Sequence, residues 1–217
     1  RGLFVEVSAP TGEATNLKDL IADGGQVSLF GKAVNQSGMI QANSVRTKSG
    51  RVELIASDAV TLADGSRILA KGDTAGVSHG GTVIAKADLA KGQTNFNKGA
   101  LIDVSGGAQG GNGGFIELSG SRVSWGGAFR AHALAGFRGG KLLIDPIFDQ
   151  FNPITTETLS SFTEQIITSG LNDIEFQSAT GADLTVTARF DLSAWLLPEG
   201  QTGTLAFNAG RNLLFNS

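Results

Sequence analysis

The chain has 217 residues, 41% of them hydrophobic, with 17 basic against 20 acidic side chains and no cysteine. Without cysteine neither disulfides nor thiolate zinc can hold the fold, and a net charge of −3 offers no basic stripe for a nucleic-acid or anionic-membrane partner. No apolar run approaches the roughly 20 residues of a membrane span, and the first residue, Arg1, opens no leader, so the chain reads as a segment excised from something longer.

From the N-terminus onward the pattern is period-two alternation. It predicts strands at Leu3–Ser8, Gln26–Phe30, Arg51–Ala56, Thr82–Lys86, Leu101–Val104, Phe115–Ser119 and Lys141–Ile144. Five of these follow a glycine: Gly25, Gly50, Gly81, Gly114 and Gly140, spaced 25, 31, 33 and 26 residues apart. Two residues past each glycine stand Val27, Val52, Val83, Ile116 and Leu142; four past it stand Leu29, Leu54, Ala85, Leu118 and Ile144. All ten are apolar, and the interval is that of a repeat coil.

A second half-unit follows most of these strands. It runs from Val34 to Ile40 and Ala42, from Val60 to Ile68 and Ala70, from Phe96 to Ile102 and Val104, and from Val123 to Phe129 and Ala131, each with a glycine turn inside. Glycine is expected at such corners because it adopts backbone angles that side chains forbid. Stacked in parallel at about 4.8 Å, the coils would superpose their inward residues as apolar columns. A hairpin-built antiparallel sandwich explains the alternation and the turns, but not one two-part unit recurring in one order.

The composition shifts near residue 145: 26 of the 31 glycines lie in residues 1–150. Ile147–Pro153 reads as a loop leaving the stack, and Thr155 or Thr156 caps a helix with Leu159, Phe162, Ile166 and Ile167 on one face, ending at Ser169-Gly170. Strands resume at Asp173–Gln177, Ala182–Ala188, Thr204–Asn208 and Asn212–Phe215. The organisation expected is therefore Gly-rich coils over 1–146, a loop-and-helix excursion over 147–170, and further coils over 171–217.

Little points to catalysis, and no catalytic, cofactor or metal site is expected. His79 and His132 lack converging acidic partners and read as surface histidines. Glu53 and Glu117 share an outward slot with Ile84 between them, about 10 Å apart by rung count. That lies just beyond the 6.5–9.5 Å or so of an inverting glycosidase. Gly106–Gly114 has no aspartate to make it a calcium repeat. Asn35, Asn95, Asn97 and Asn208 are expected to form amide ladders at turns. The chain has no tyrosine, which weakens a lectin reading, and Trp125 and Trp195 read as packing residues. The excursion is the largest departure from the repeat, so its contact candidates are Phe148, Phe151 and Phe162, with Trp195 beyond it.

The units GGQVSLFGKAVNQSGMIQA, GRVELIASDAVTLADGSRILAKG and GGFIELSGSRVSWGGAFRAHA resemble the repeats of filamentous-haemagglutinin-type exoproteins, the secreted partners of Gram-negative two-partner secretion systems. The stretches KLLIDP, DLTVTARFDL and GTLAFNAGRNLLFN are similar to that family's coils as well, so the likeness covers nearly the whole chain. It implies an all-β right-handed parallel β-helix with a short inserted α-helix, export through an outer-membrane transporter partner, and a place on the bacterial cell surface. It also implies a monomeric rod that attaches to host cells or polysaccharide. The single Asn152-Pro153 lies too late to match the family's secretion motifs, which assigns the chain to the repeat shaft. A stalk for a delivered toxin, or less readily a polysaccharide-active enzyme, is the alternative. No family site residue transfers to a position here.

Overall fold

The computed structural model describes residues 2–147, 153–155, 163–187, 193, 195, 197 and 200–215. Eight strands stand side by side in one sheet: β1 (Phe4–Asn16), β3 (Gln26–Gln36), β5 (Arg51–Leu62), β7 (Thr82–Lys86), β10 (Phe115–Ser119), β13 (Gly140–Asp145), β14 (Leu171–Gln177) and β16 (Thr204–Asn208). Strands β8 (Gln93–Phe96) and β11 (Arg122–Trp125) join it beside the far half of β5. A second sheet runs β2 (Asp19–Ile21), β4 (Met39–Gln41), β6 (Arg67–Leu69), β9 (Leu101–Asp103) and β12 (Ala128–Arg130). The last two strands, β15 (Leu184–Val186) and β17 (Leu213–Phe215), pair with each other.

Every pairing between these strands is parallel. The antiparallel sandwich is thereby excluded: the fold is all-β, built on long parallel sheets, with no closed barrel among the described residues. Gln26 pairs with Arg51, Arg51 with Thr82, Thr82 with Phe115 and Phe115 with Lys141, which reproduces the spacing of the recurring glycines.

The register turns the sequence pattern into columns. Val27, Val52, Val83, Ile116 and Leu142 lie partner to partner and are fully buried, and Val5, Ile174 and Leu205 extend the column at its two ends. Beside it run Leu29, Leu54, Ala85, Leu118 and Ile144, continued by Phe176. The second sheet supplies the facing column, Leu20, Ile40, Ile68, Ile102 and Phe129. Removing each fully buried Val, Leu, Ile or Phe side chain of these columns from water contributes about 1.5–3 kcal/mol, so the interior between the two sheets is the main source of stability.

Four expectations change in detail. The predicted strands Leu3–Ser8, Gln26–Phe30 and Arg51–Ala56 are only the first halves of β1, β3 and β5, which run on through a bend marked by a register shift. In the second half-unit Phe96 does not stand beside Val34, Val60 and Val123. Thr94 does, buried, with its hydroxyl donating to Ser119 O at 2.7 Å, while Phe96 stacks between Leu62 and Trp125. The amide ladders form from other residues. Asn16 donates to Gln36 Oε1 at 2.8 Å, and Asn43, Asn112 and Asn172 accept from Lys71, Arg138 and Gly139 N–H groups at 2.8–3.0 Å. Asn35 and Asn208 instead hydrogen-bond the carboxylates of Glu13 and Glu175.

The fourth concerns glycine. Gly25, Gly50, Gly81, Gly114 and Gly140 are required by crowding, not by backbone angle. A Cβ at Gly81 would lie 2.2 Å from Gly50 O, one at Gly114 2.0 Å from Gly81 O, and one at Gly140 2.6 Å from Gly114 O. None of the five has a positive φ. The strand starts are packed rung on rung so closely that any side chain would force the sheet apart.

Candidate functional site

Beyond β13 the second sheet has no further strand among the described residues. A short helix at 163–167 stands in that position, ending two residues before the predicted Ser169-Gly170, with a turn over 168–169 in between. In each earlier unit the residue after the short strand donates to the next unit: Ala42 N–H to Leu69 O, Ala70 N–H to Asp103 O, Val104 N–H to Arg130 O. Ala131 N–H continues the series by donating to Ser169 O at 2.7 Å. The helix therefore fills a strand's place, buries Ile166 in the core, and returns the chain to β14 through Gly170 at φ +76°. Ser169 fixes that exit: its hydroxyl donates to Ile166 O at 2.8 Å and accepts from Leu171 N–H at 3.1 Å. Ile154 also stands in the stack, bridged to Val186.

Of the contact candidates, Phe148, Phe151 and Phe162 lie outside the described residues. Trp195 is half-buried against the core, and its Nε1 donates to Leu171 O at 2.9 Å. Trp125 is 8% exposed and meets Phe176 edge-on at 6.4 Å between centroids. Both tryptophans pack.

The outer face of the long sheet carries the carboxylates. Glu53, Ile84, Glu117, Leu143 and Glu175 occupy one slot on successive rungs, so Glu53 and Glu117 stand two rungs apart as their spacing implies. Each glutamate has a cation beside it. Arg51 binds Glu53 at 2.5 Å, Lys86 lies 3.4 Å from Glu117, and Lys141 pairs with Glu175. Ser119 donates to Glu117 at 2.7 Å, and Gln26 to Glu53 at 3.0 Å. The hydrogen bond from Lys141 holds the Glu175 carboxyl below its ordinary range, with Asn208 adding to the effect.

Asp145 is different. It is 6% exposed, beside Ser119 in the ladder, and burial pushes its carboxyl above the ordinary range; Lys86 opposes that and the charges of Glu117 and Glu175 add to it. Neither Asp145 nor Glu175 is singled out by the sequence reading. Glu175 was findable, because Asp173-Ile174-Glu175-Phe176 repeats the apolar positions of Arg51-Val52-Glu53-Leu54. Asp145 carries no such signal, since its burial comes from the fold. The Lys86–Glu117 and Lys141–Glu175 pairs tie neighbouring rungs together, Arg51–Glu53 lies within one strand, and all three glutamates are already ion-paired.

His79 is exposed and its Nδ1 accepts from Asn112 N–H at 2.9 Å; His132 is exposed at the corner beside Gly170. No group of three or more His, Cys, Asp or Glu side chains among the described residues is placed to hold a metal ion. Gly106–Gly114 forms a corner loop closed by the Gly107–Gly110 bridge. No helix among the described residues is long and apolar enough to cross a membrane. No protein-family model, curated protein or solved structure matches the chain.

Proposed function

We propose that the chain is a right-handed parallel β-helix serving as a shaft and adhesion segment of a large secreted bacterial surface exoprotein, exported by two-partner secretion. The observation that carries this reading is the pair of uninterrupted buried columns, Val27 to Leu142 and Leu29 to Ile144, held in parallel register rung after rung. Such a stack grows without limit on core size, because each rung contacts only its neighbours. Eight rungs at about 4.8 Å give a rod of roughly 40 Å. Repeated along an exoprotein, that geometry projects a contact surface away from the cell. The ion-paired state of Glu53, Glu117 and Glu175 favours a structural role for the outer face over polysaccharide cleavage.

Attachment is assigned to the departure from the repeat. The helix is the one described element that replaces a strand, and adhesive specificity in a repetitive rod has to reside where the repeat is broken. The test is surface display of the chain with and without residues 148–170. Adherence to cells or matrix polysaccharide is expected to fall while the β-sheet circular dichroism is retained; undiminished adherence would refute the assignment. Solution scattering that shows a compact sphere instead of an elongated particle would remove the rod itself.

A further inference from the structure

An open cleft of about 370 Å³ lies between the edge strand β12 and the helix at 163–167, at the lower end of the range for small-molecule sites. Three of its side chains carry polar groups without a protein partner among the described residues. Arg130 and Glu164 both line it, and neither has an ion-pair partner among the described residues. Gln165 lines it too, and its Oε1 is buried beneath the cleft surface with no hydrogen-bond partner. A lone buried acceptor of this kind is destabilising until a donor reaches it.

The wall adds backbone chemistry. Ala128 N–H donates to Ala100 O, and Arg130 O accepts from Val104 N–H. Both residues thus direct their main-chain groups to β9. Alternation along a parallel strand then turns the Phe129 N–H and C=O the other way, toward the cleft. Its ring stays inside, 5.0 Å from Phe96 between centroids. His132 and Thr168 complete the rim.

We infer that this cleft binds a single pyranose unit carrying a carboxylate, as in a uronic acid. The carboxylate pairs with Arg130, a planar donor suited to bidentate recognition of such an anion. Ring hydroxyls donate to Glu164 and, once the Gln165 amide turns outward, to its Oε1, and the Phe129 main chain offers one donor and one acceptor to the ring. Glu164 discriminates against a phosphate or sulfate dianion while still accepting from hydroxyls. A neutral sugar leaves Arg130 without its counter-charge. This deepens the adhesive reading and rests on it for biological meaning, but it supplies its own solution test.

The 217-residue chain is titrated with glucuronic acid, with a glucuronate-terminated oligosaccharide and with glucose, and followed by chemical-shift changes and calorimetry. Saturable binding of the free acid and the oligosaccharide is expected, with glucose at least tenfold weaker. Arg130→Leu and Gln165→Leu are each expected to weaken binding at least tenfold. Gln165→Leu should keep or raise the melting temperature, because it removes an unpartnered polar atom. Three results would overturn the proposal: no saturation by either uronate, uronate binding untouched by both substitutions, or a lowered melting temperature for Gln165→Leu. A null titration beside intact cell adherence removes the cleft and leaves the shaft standing; lost adherence on deleting 148–170 beside uronate binding that survives both substitutions does the same.

Discussion

The rungs up to β13 and the rungs after it are built from the same long sheet, yet they are held differently. In the first region β3, β5, β7, β10 and β13 are each headed by a glycine lying against a backbone carbonyl, and the second sheet supplies a strand to nearly every unit. In the second region Leu171 stands opposite Gly140 at the start of β14, and Asn172 is the extra residue at the register shift that follows. Its Oδ1 accepts from Gly139 N–H at 2.8 Å, and its Nδ2 donates to Gln201 Oε1 at 2.8 Å. The ladder shifts register between Gly140 and Lys141, and the helix at 163–167 stands where a strand would be. The glycine-headed starts of the long sheet leave no room for a side chain, while the position after β12 in the second sheet accepts a substitute element. The long sheet is the template, and the second sheet can be replaced.

Substitutions at equivalent positions sharpen this contrast. Gly81→Ala should cost more than about 4 kcal/mol, because backbone faces its Cβ and nothing nearby can give way. Gly203→Ala, in the second region, should be far milder, since its Cβ meets mainly the Leu197 and Trp195 side chains at 2.9 and 3.1 Å. Denaturant melts of the two variants decide it, and equal losses would break the distinction between the regions. Leu118→Ala, fully buried in the first region, should cost about 3 kcal/mol. Leu205→Ala, half-buried near the second end, should cost about 1 kcal/mol by the same equilibrium unfolding.

At the junction, Ser169→Ala should cost about 1 kcal/mol, and faster amide exchange should appear first at Leu171. The two carboxylates on the outer face provide a pH test with opposite signs. Asp145 has a raised carboxyl, so its ionisation lowers stability as pH rises upward from the ordinary aspartate range. Asp145→Asn should therefore raise the melting temperature at pH 7 and leave it unchanged in acid below that range. Glu175 is depressed, so its contribution is present at neutral pH and is lost as pH falls through the glutamate range and below. Lys141→Met should remove that contribution, a loss of no more than about 1 kcal/mol that shrinks further in high salt. Melts across pH measure both.

Much of the architecture was legible because two periods coincide in the sequence. Alternation places Val27 and Leu29 on one face, and the glycine spacing places Val52 and Leu54 above them. What was hidden depends on neighbours across rungs. Thr94 reads as polar, but Ser119 O makes it an interior residue. Gly81 reads as a turn residue, while its reason is the carbonyl of Gly50. The cleft beside β12 was not legible, since Arg130 and Gln165 are 35 residues apart and meet only because the helix fills a strand's place. Asp145 was missed for the same kind of reason.

One buried file of side chains changes chemistry along its length: Asn16, Gln36, Leu62, Phe96, Trp125. At its head the two amides satisfy each other, and Gln36 also donates to Gly38 O at 2.7 Å; toward its foot the members are apolar and aromatic. A chain that skipped one rung while folding would seat Asn16 against Leu62 and strand the amide in a dry interior. The file therefore numbers the rungs, and it makes a misthreaded copy of this otherwise repetitive molecule identifiable by its own instability.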